Sequence, residues 1–246
     1  MAERDLRRGD HLPKRRPDGQ PPHPSWLPRQ RRGITPQMIG RYPDYDVFDA
    51  ESTWDPVTRK VIDERLRVGG ALQFFTAEEE PALRAFCDTV TAQDMEPRVP
   101  VPEMVDQKFA AGQLDGYRYA DMPEDPETWR RVLRGLDHSA QERYGKRFAE
   151  LDVPSRESIV GDFADGRLSG GPWEQLNVSR AWSVVMRAAL SSFYSHPWAW
   201  NEIGFGGPAY PRGFMRLGQG VEVLDPFEKP GATDEDPVRQ APELDS

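Results

Sequence analysis

Six stretches of this chain place apolar residues at helical spacing, and no stretch of any length alternates apolar with polar residues. That pattern excludes a sheet-based core and leaves helices to do the burying. In 54–68, Val57, Val61, Ile62 and Leu66 share one face, and Pro56 suits a first turn. Thr76 and Glu79 make a capping-box pattern ahead of a stripe of Leu83, Phe86, Cys87 and Val90, and Glu78 to Glu80 sit where the helix dipole favours anions. That helix is expected to fade near Asp94. A third opens at Pro102, carries Met104, Val105 and Phe109, and stops at Gly112. The fourth takes Asp125 as N-cap and Pro126 as its first residue. Its inner face is Trp129, Val132, Leu133, Leu136, Ala140, Tyr144 and Phe148. Ser155 is expected to cap a fifth, with Ile159, Val160 and Phe163 inside and Gly166 at its end. The sixth runs from about Val178 to Tyr194 on a face of Trp182, Val185, Met186, Ala189, Leu190 and Phe193. Val221, Val223 and Leu224 supply at most a scrap of strand. The expected fold is all-α: a bundle of about six helices with long irregular connections and disordered termini.

The apolar residues are concentrated in the middle of the chain. They make up 37% of the 246 residues, against 30% charged, so any segment poorer than this average cannot build a core. Residues 1–33 hold nine Lys/Arg, four Asp/Glu and few aliphatics, which gives an arm of +5 on a chain of net −9. The expected organisation is a disordered basic arm over 1–41, a helical domain over 42–228 and an acidic disordered tail over 229–246. An acidic body with its positive charge on an unfolded arm is not a nucleic-acid-binding footprint. No apolar run reaches membrane-spanning length. The single cysteine, Cys87, excludes an intrachain disulfide and reads as a small core residue.

One segment stands apart. Residues 194–213, YSHPWAWNEIGFGGPAYPRG, set two Trp, two Tyr and a Phe among glycines and prolines. That much ring surface must fold back on the chain's own core, dock on a partner, or do both. Trp198 and Trp200 are two apart and cannot share a helical face, so one is expected inside and one outside. Trp198, Trp200, Phe205, Tyr210 and Arg212 are therefore candidate partner contacts, with internal packing the open alternative. Tyr117, Arg118 and Tyr119, in the glycine-flanked connector DGYRYAD, form a second candidate patch, with core packing of one Tyr and exposure of the other the open alternative.

Candidate chemistry is thin. GFGG at 204–207 and the cluster GRLSGG at 166–171 lack the strand, helix and spacing of a nucleotide loop, and read as turns. His196 and Glu202 are the nearest approach to a catalytic pair, six positions apart. His196 precedes Pro197, and its structural role would be to satisfy the terminal carbonyls of the preceding helix. No residue is singled out as catalytic, cofactor-binding or metal-binding.

The run SHPWAWNEIGFGGPAYPRGF (195–214), with LDGYRYADMPEDPETWRRVLRGLD (114–137) and FFTAEEEPALRAFCDTVTAQD (74–94), resembles the gluconate 2-dehydrogenase subunit 3 family. DVFDAESTWDPVTRKVIDERL (46–66) and WSVVMRAALSSFYSHPW (182–198) extend the resemblance from about Tyr42 to Glu228. It implies a small non-catalytic subunit without a cofactor of its own. The implied partner is a large FAD-holding flavoprotein of the glucose–methanol–choline type, a sugar, sugar-acid or polyol dehydrogenase. Its electrons would pass to a cytochrome c or another acceptor. Members often carry an export signal. Here the arginine pairs Arg7–Arg8, Arg15–Arg16 and Arg31–Arg32 are followed by no apolar stretch. The expectation is a cytoplasmic complex, the alternative being export information on the partner. Two rival functions stand beside this one: a free-standing helical enzyme using His196 and Glu202, and a general interaction scaffold unrelated to redox chemistry.

Overall fold

A computed structural model describes residues 47–93, 98–203 and 205–208. The basic arm, the acidic tail, the strand scrap at 221–224, Tyr210 and Arg212 lie outside the described residues. Among those described, the secondary structure is helical throughout, with seven α-helices joined by short 3-10 turns. The fold is all-α. The chain forms two compact units. One draws on the described residues up to Val68, on Ala92 to Val99 and on Tyr194 onward; the other comprises Gly69–Thr91 and Pro100–Phe193.

The second unit holds α2 (Glu80–Val90), α3 (Val101–Ala110), α4 (Asp125–Tyr144), α5 (Val153–Ala164) and most of α6 (Val178–Ser195). Its centre is Trp129 of α4, which meets Phe75, Phe86 and Phe109 edge-on at centroid distances of 5.7–6.5 Å. The stripe Leu83, Phe86, Cys87 and Val90 is buried as its spacing requires. The capping box ahead of α2 is present: Thr76 N–H donates to Glu79 Oε2 at 3.0 Å, and Glu79 N–H to Thr76 Oγ1 at 3.3 Å. Burial pushes the Cys87 thiol well above its ordinary pKa, so it behaves as a core residue.

Gly135 lies in the interior of α4, where glycine costs about 1 kcal/mol relative to alanine. A Cβ there would stand 2.5 Å from Trp173 Cε2. The glycine is the hole into which the Trp173 ring fits, and the indole N–H donates to Ser139 Oγ at 3.0 Å. Asp106 of α3 is buried, yet its carboxylate accepts three backbone N–H bonds, from Gln73 at 2.7 Å and from Phe74 and Phe75 at 2.9 Å. Those bonds replace its lost hydration and fix the approach to α2.

Several details depart from the sequence expectations. α4 ends at Tyr144, because Gly145 adopts a left-handed conformation at φ 65°. Tyr144 is exposed, and Phe148 is buried from a separate 3-10 turn, Phe148–Glu150. The N-cap of α4 is Glu124, while Asp125 lies inside the helix with its carboxylate 3.7 Å from Arg187. The cap of α5 is Asp152, which accepts from Ser155 N–H at 3.0 Å; Ser155 is the recipient of the cap, not its source. The buried face of α6 is Ala181, Val184, Val185, Ala188, Ala189 and Phe193. It is rotated from the expected one, leaving Trp182, Met186 and Leu190 half-buried.

The first unit is built on α1 (Pro56–Leu66), α7 (Pro197–Ile203) and a 3-10 helix, Val47–Thr53. Asp55 caps α1, accepting from Thr58 N–H at 2.7 Å, and hydrogen bonding by the Thr58 side chain and backbone lowers the Asp55 pKa. Only Ile62 and Leu66 of the expected α1 face are buried; Val57 and Val61 are exposed. The four cannot all face one cluster across an arc this wide, and the core of Val47, Ala50, Trp54, Ile62 and Trp200 takes the inner side alone. The amide of Gln93 closes a loop by donating to Val99 C=O at 3.1 Å and accepting from Val99 N–H at 2.6 Å.

Candidate partner interface

The aromatic run begins where α6 ends. A helix C-terminus leaves carbonyls without intrahelical partners. Here Arg65 Nη1 donates to Ser195 C=O at 3.0 Å, and Trp200 Nε1 to Tyr194 C=O at 2.6 Å. Histidine was the expected partner of those carbonyls; the bonds described for His196 run into α7. Its backbone C=O accepts from Ala199 N–H at 3.0 Å, and its Nδ1 accepts from Trp198 N–H at 3.3 Å. His196 is the N-cap of α7 with Pro197 at the first helical position. It is buried, and its ring stands edge-on to Trp198 at 4.7 Å. An imidazole whose Nδ1 is engaged by a backbone N–H is placed for capping. The side chain of Glu202 lies outside the described residues, and the His196–Glu202 pair with it.

The stretch expected to be irregular is thus helical over Pro197–Ile203, and both tryptophans turn inward. Trp198 is 7% exposed and Trp200 4%. Two residues two apart need not share one helical face when a short helix is packed on more than one side. Trp200 enters the cluster of Val47, Ala50, Trp54 and Ile62, while Trp198 packs on His196. The Arg65 guanidinium lies 5.8 Å from the Trp200 ring centroid, and burial lowers its pKa. Phe205 stays at the surface, 40% exposed, edge-on to Trp200 at 5.7 Å. Its N–H returns to Trp200 C=O at 3.0 Å. Gly207 follows at φ 74°, and a Cβ on it would stand 2.6 Å from Val47 Cγ2. Only glycine fits both that backbone and that gap.

The second patch, in the other unit, is arranged differently. Tyr117 is 58% exposed, Arg118 is exposed and Tyr119 is half-buried. The two Tyr rings meet edge-on at 5.3 Å. The connector is tied down by charge. Asp115 pairs with Lys108 and, at 3.1 Å, with Arg187 of α6. Asp121 pairs with Arg180, one heptad earlier on α6, and accepts from Asn177 Nδ2 at 3.3 Å. Arg180 also lies over the Tyr119 ring at 4.9 Å. The Lys108 hydrogen bond holds the Asp115 carboxyl below the usual range against a partial burial effect, with Arg187 adding to it. Burial raises Asp125 against the pull of Arg187.

The sequence named Tyr117, Arg118 and Tyr119 and missed their holders. Arg180 and Arg187 carry a legible signal in hindsight: they sit seven apart on α6, and Asp115 and Asp121 six apart in the connector. Among the described residues, no helix is long and apolar enough to cross a membrane.

The family model described as gluconate 2-dehydrogenase subunit 3 matches residues 77–207, more than half of the 246. The match takes in both the Tyr117–Tyr119 connector and the aromatic run as far as Gly207. No curated protein and no solved structure matches the chain.

Proposed function

The chain belongs to the gluconate 2-dehydrogenase subunit 3 family, and from that membership we propose that it is a non-catalytic accessory subunit. It binds and stabilises an FAD-dependent flavoprotein of the glucose–methanol–choline type, which oxidises a sugar, sugar acid or polyol. The FAD resides in that partner, and a cytochrome c or another acceptor takes the electrons. The site of action is the cytoplasm. The observation that carries the reading is the family match across both aromatic patches.

In this reading Phe205, Tyr117, Arg118 and Tyr119 are contact residues, and Tyr210 and Arg212 continue the first patch along the chain. Trp198 and Trp200 support the surface on which Phe205 is displayed. Binding to the folded flavoprotein alone stabilises it by mass action, by about 2.7 kcal/mol at a free concentration one hundred times Kd. Affinity purification of the tagged chain from its native host tests the reading. A retained partner with an oxidised-flavin spectrum, identified by peptide mass, is the expected result. A colourless chain that retains no flavoprotein overturns it. Turnover of a sugar by the purified chain alone, abolished by His196→Ala, would replace it with the free-standing enzyme.

A further inference from the structure

The outer side of α1 carries an exposed apolar strip. Val57 and Val61 are one helical turn apart, share a face, and are 69% and 42% exposed. Valine is a poor choice for an exposed helix position, since it gives up side-chain freedom there without burial in return. The charges that flank the strip, Lys60 and Glu64, pair with each other at 3.8 Å, so the strip presents little net charge. Both valines precede residues 77–207, the span of the family match, so membership of the family does not account for them. The chain leaves the described fold beside this helix. A Cβ on Gly207 would stand 3.3 Å from Trp54 Cζ2, and Trp54 directly precedes Asp55, the cap of α1. Beyond Pro208, Phe214, Met215 and Leu217 put three large apolar side chains into four residues. Phe214 follows Gly207 by seven residues, a reach of roughly 23 Å when extended. Val61 follows Trp54 by seven residues, about 10 Å at helical rise. The reach covers that distance with room to turn.

We propose that Phe214, Met215 and Leu217 dock on the Val57–Val61 face of α1, so that the chain straps its own first helix. The occupant is this segment because it is tethered at the site: a linker of a few residues sets its local concentration, which no untethered competitor matches. An apolar strip whose flanking charges are already paired also favours an apolar occupant over a charged one. The strap closes 208–213 into a short loop anchored at both ends, by Gly207 against Val47 and Trp54 and by Phe214 against α1. Tyr210 and Arg212 lie in that loop. The contact stands independently of the accessory-subunit reading; only the display of those two residues to a flavoprotein rests on it.

The test reads tryptic cleavage after Arg216 in the full chain, with cleavage after Arg239 as the internal standard. Docking shields the Arg216–Leu217 bond, so cleavage there follows the undocked population. Val57→Asp combined with Val61→Asp is expected to speed cleavage after Arg216 by about fivefold or more and to leave Arg239 unchanged. Phe214→Ala should do the same, and adding it to the α1 changes should bring little more, because either change removes the one contact. Both valines are exposed, so the α1 variant keeps its fold, which circular dichroism and melting temperature check. A folded α1 variant and a Phe214→Ala variant that are both cleaved like wild type overturn the inference. A wild-type chain that elutes as a dimer, with the α1 variant a monomer, overturns it in favour of a second copy on the strip. Unchanged cleavage with loss of a co-purified flavoprotein in the α1 variant overturns it in favour of that subunit. A wild-type chain that retains no flavoprotein overturns the accessory reading and leaves the strap standing.

Discussion

The segment from His196 to Gly207 and the connector from Asp115 to Asp121 look alike as sequence: aromatic, glycine-punctuated and lacking complete catalytic motifs. Their structures are opposites. The first draws its large rings inward, and its polar groups cap helix ends: Arg65 and Trp200 on the last carbonyls of α6, His196 on the first N–H groups of α7. The second leaves Tyr117 exposed with Tyr119 half-buried beside it, and is held by carboxylate–guanidinium pairs on the surface of α6. Aromatic density in a loop therefore does not tell whether the rings are fasteners or contacts. What distinguishes the cases is the chemistry of the anchor. Packing anchors are strong and bury what they hold, whereas surface ion pairs are worth roughly 0–1 kcal/mol and leave the held residues accessible.

The sharpest way to break that contrast is Trp200→Ala. Removing a ring that is 4% exposed from the cluster with Val47, Trp54 and Ile62 should cost about 3–5 kcal/mol by denaturant unfolding. A loss under about 1 kcal/mol would reassign Trp200 to the contact class. Gly207→Ala comes next. The positive φ and the 2.6 Å approach to Val47 Cγ2 predict a loss of about 1–3 kcal/mol by the same measurement.

His196→Ala removes the cap of α7 and a ring packed on Trp198, for about 1–2 kcal/mol, and His196→Asn should recover part of it because Asn is a good N-cap. An Asn variant no better than Ala would deny the capping role.

On the other side of the comparison, Asp115→Asn should cost no more than about 1 kcal/mol, since both its partners are only part-buried. The pH dependence has the same origin. The folded-state pKa of Asp115 is depressed, chiefly by the Lys108 hydrogen bond. Its contribution is therefore full above the ordinary aspartate value, about pH 4, and is lost as pH falls through the lower folded value. Proteolysis of the connector measured down that range should rise in wild type and rise less in Asp115→Asn, where the Asp121–Arg180 pair alone still titrates. The smallest effect belongs to Tyr117→Ala. A ring 58% exposed should change the stability of the free chain by less than about 0.5 kcal/mol. A larger loss would move Tyr117 into the fastened class.

Local signals made the helices legible. The capping box at Thr76 and Glu79 forms as its spacing demands, the stripe of α2 is buried in full, and Gly112 and Gly166 stand just past the helices they end. Where the sequence misled, it offered competing options and no local pattern to choose between them. Either Asp152 or Ser155 could cap α5, and the carboxylate took the N–H. The buried face of α6 is not the one its bulky residues marked; it carries Ala181, Val184, Val185, Ala188, Ala189 and Phe193. Leu, Met and Trp at half-buried positions cannot be told from core residues by period alone.

The sequence by itself determined the class of structure, because burying apolar stripes at a 3.6-residue period leaves little but helices packed on helices. It also carried the family membership. The fate of each aromatic ring was decided only in three dimensions. Whether Trp200 points in and Tyr117 out depends on partners far away in the chain, such as Arg65 beside Ser195 and Arg180 beside Asp121. Those encounters are long-range, and no pattern within a turn or two of the residue encodes them.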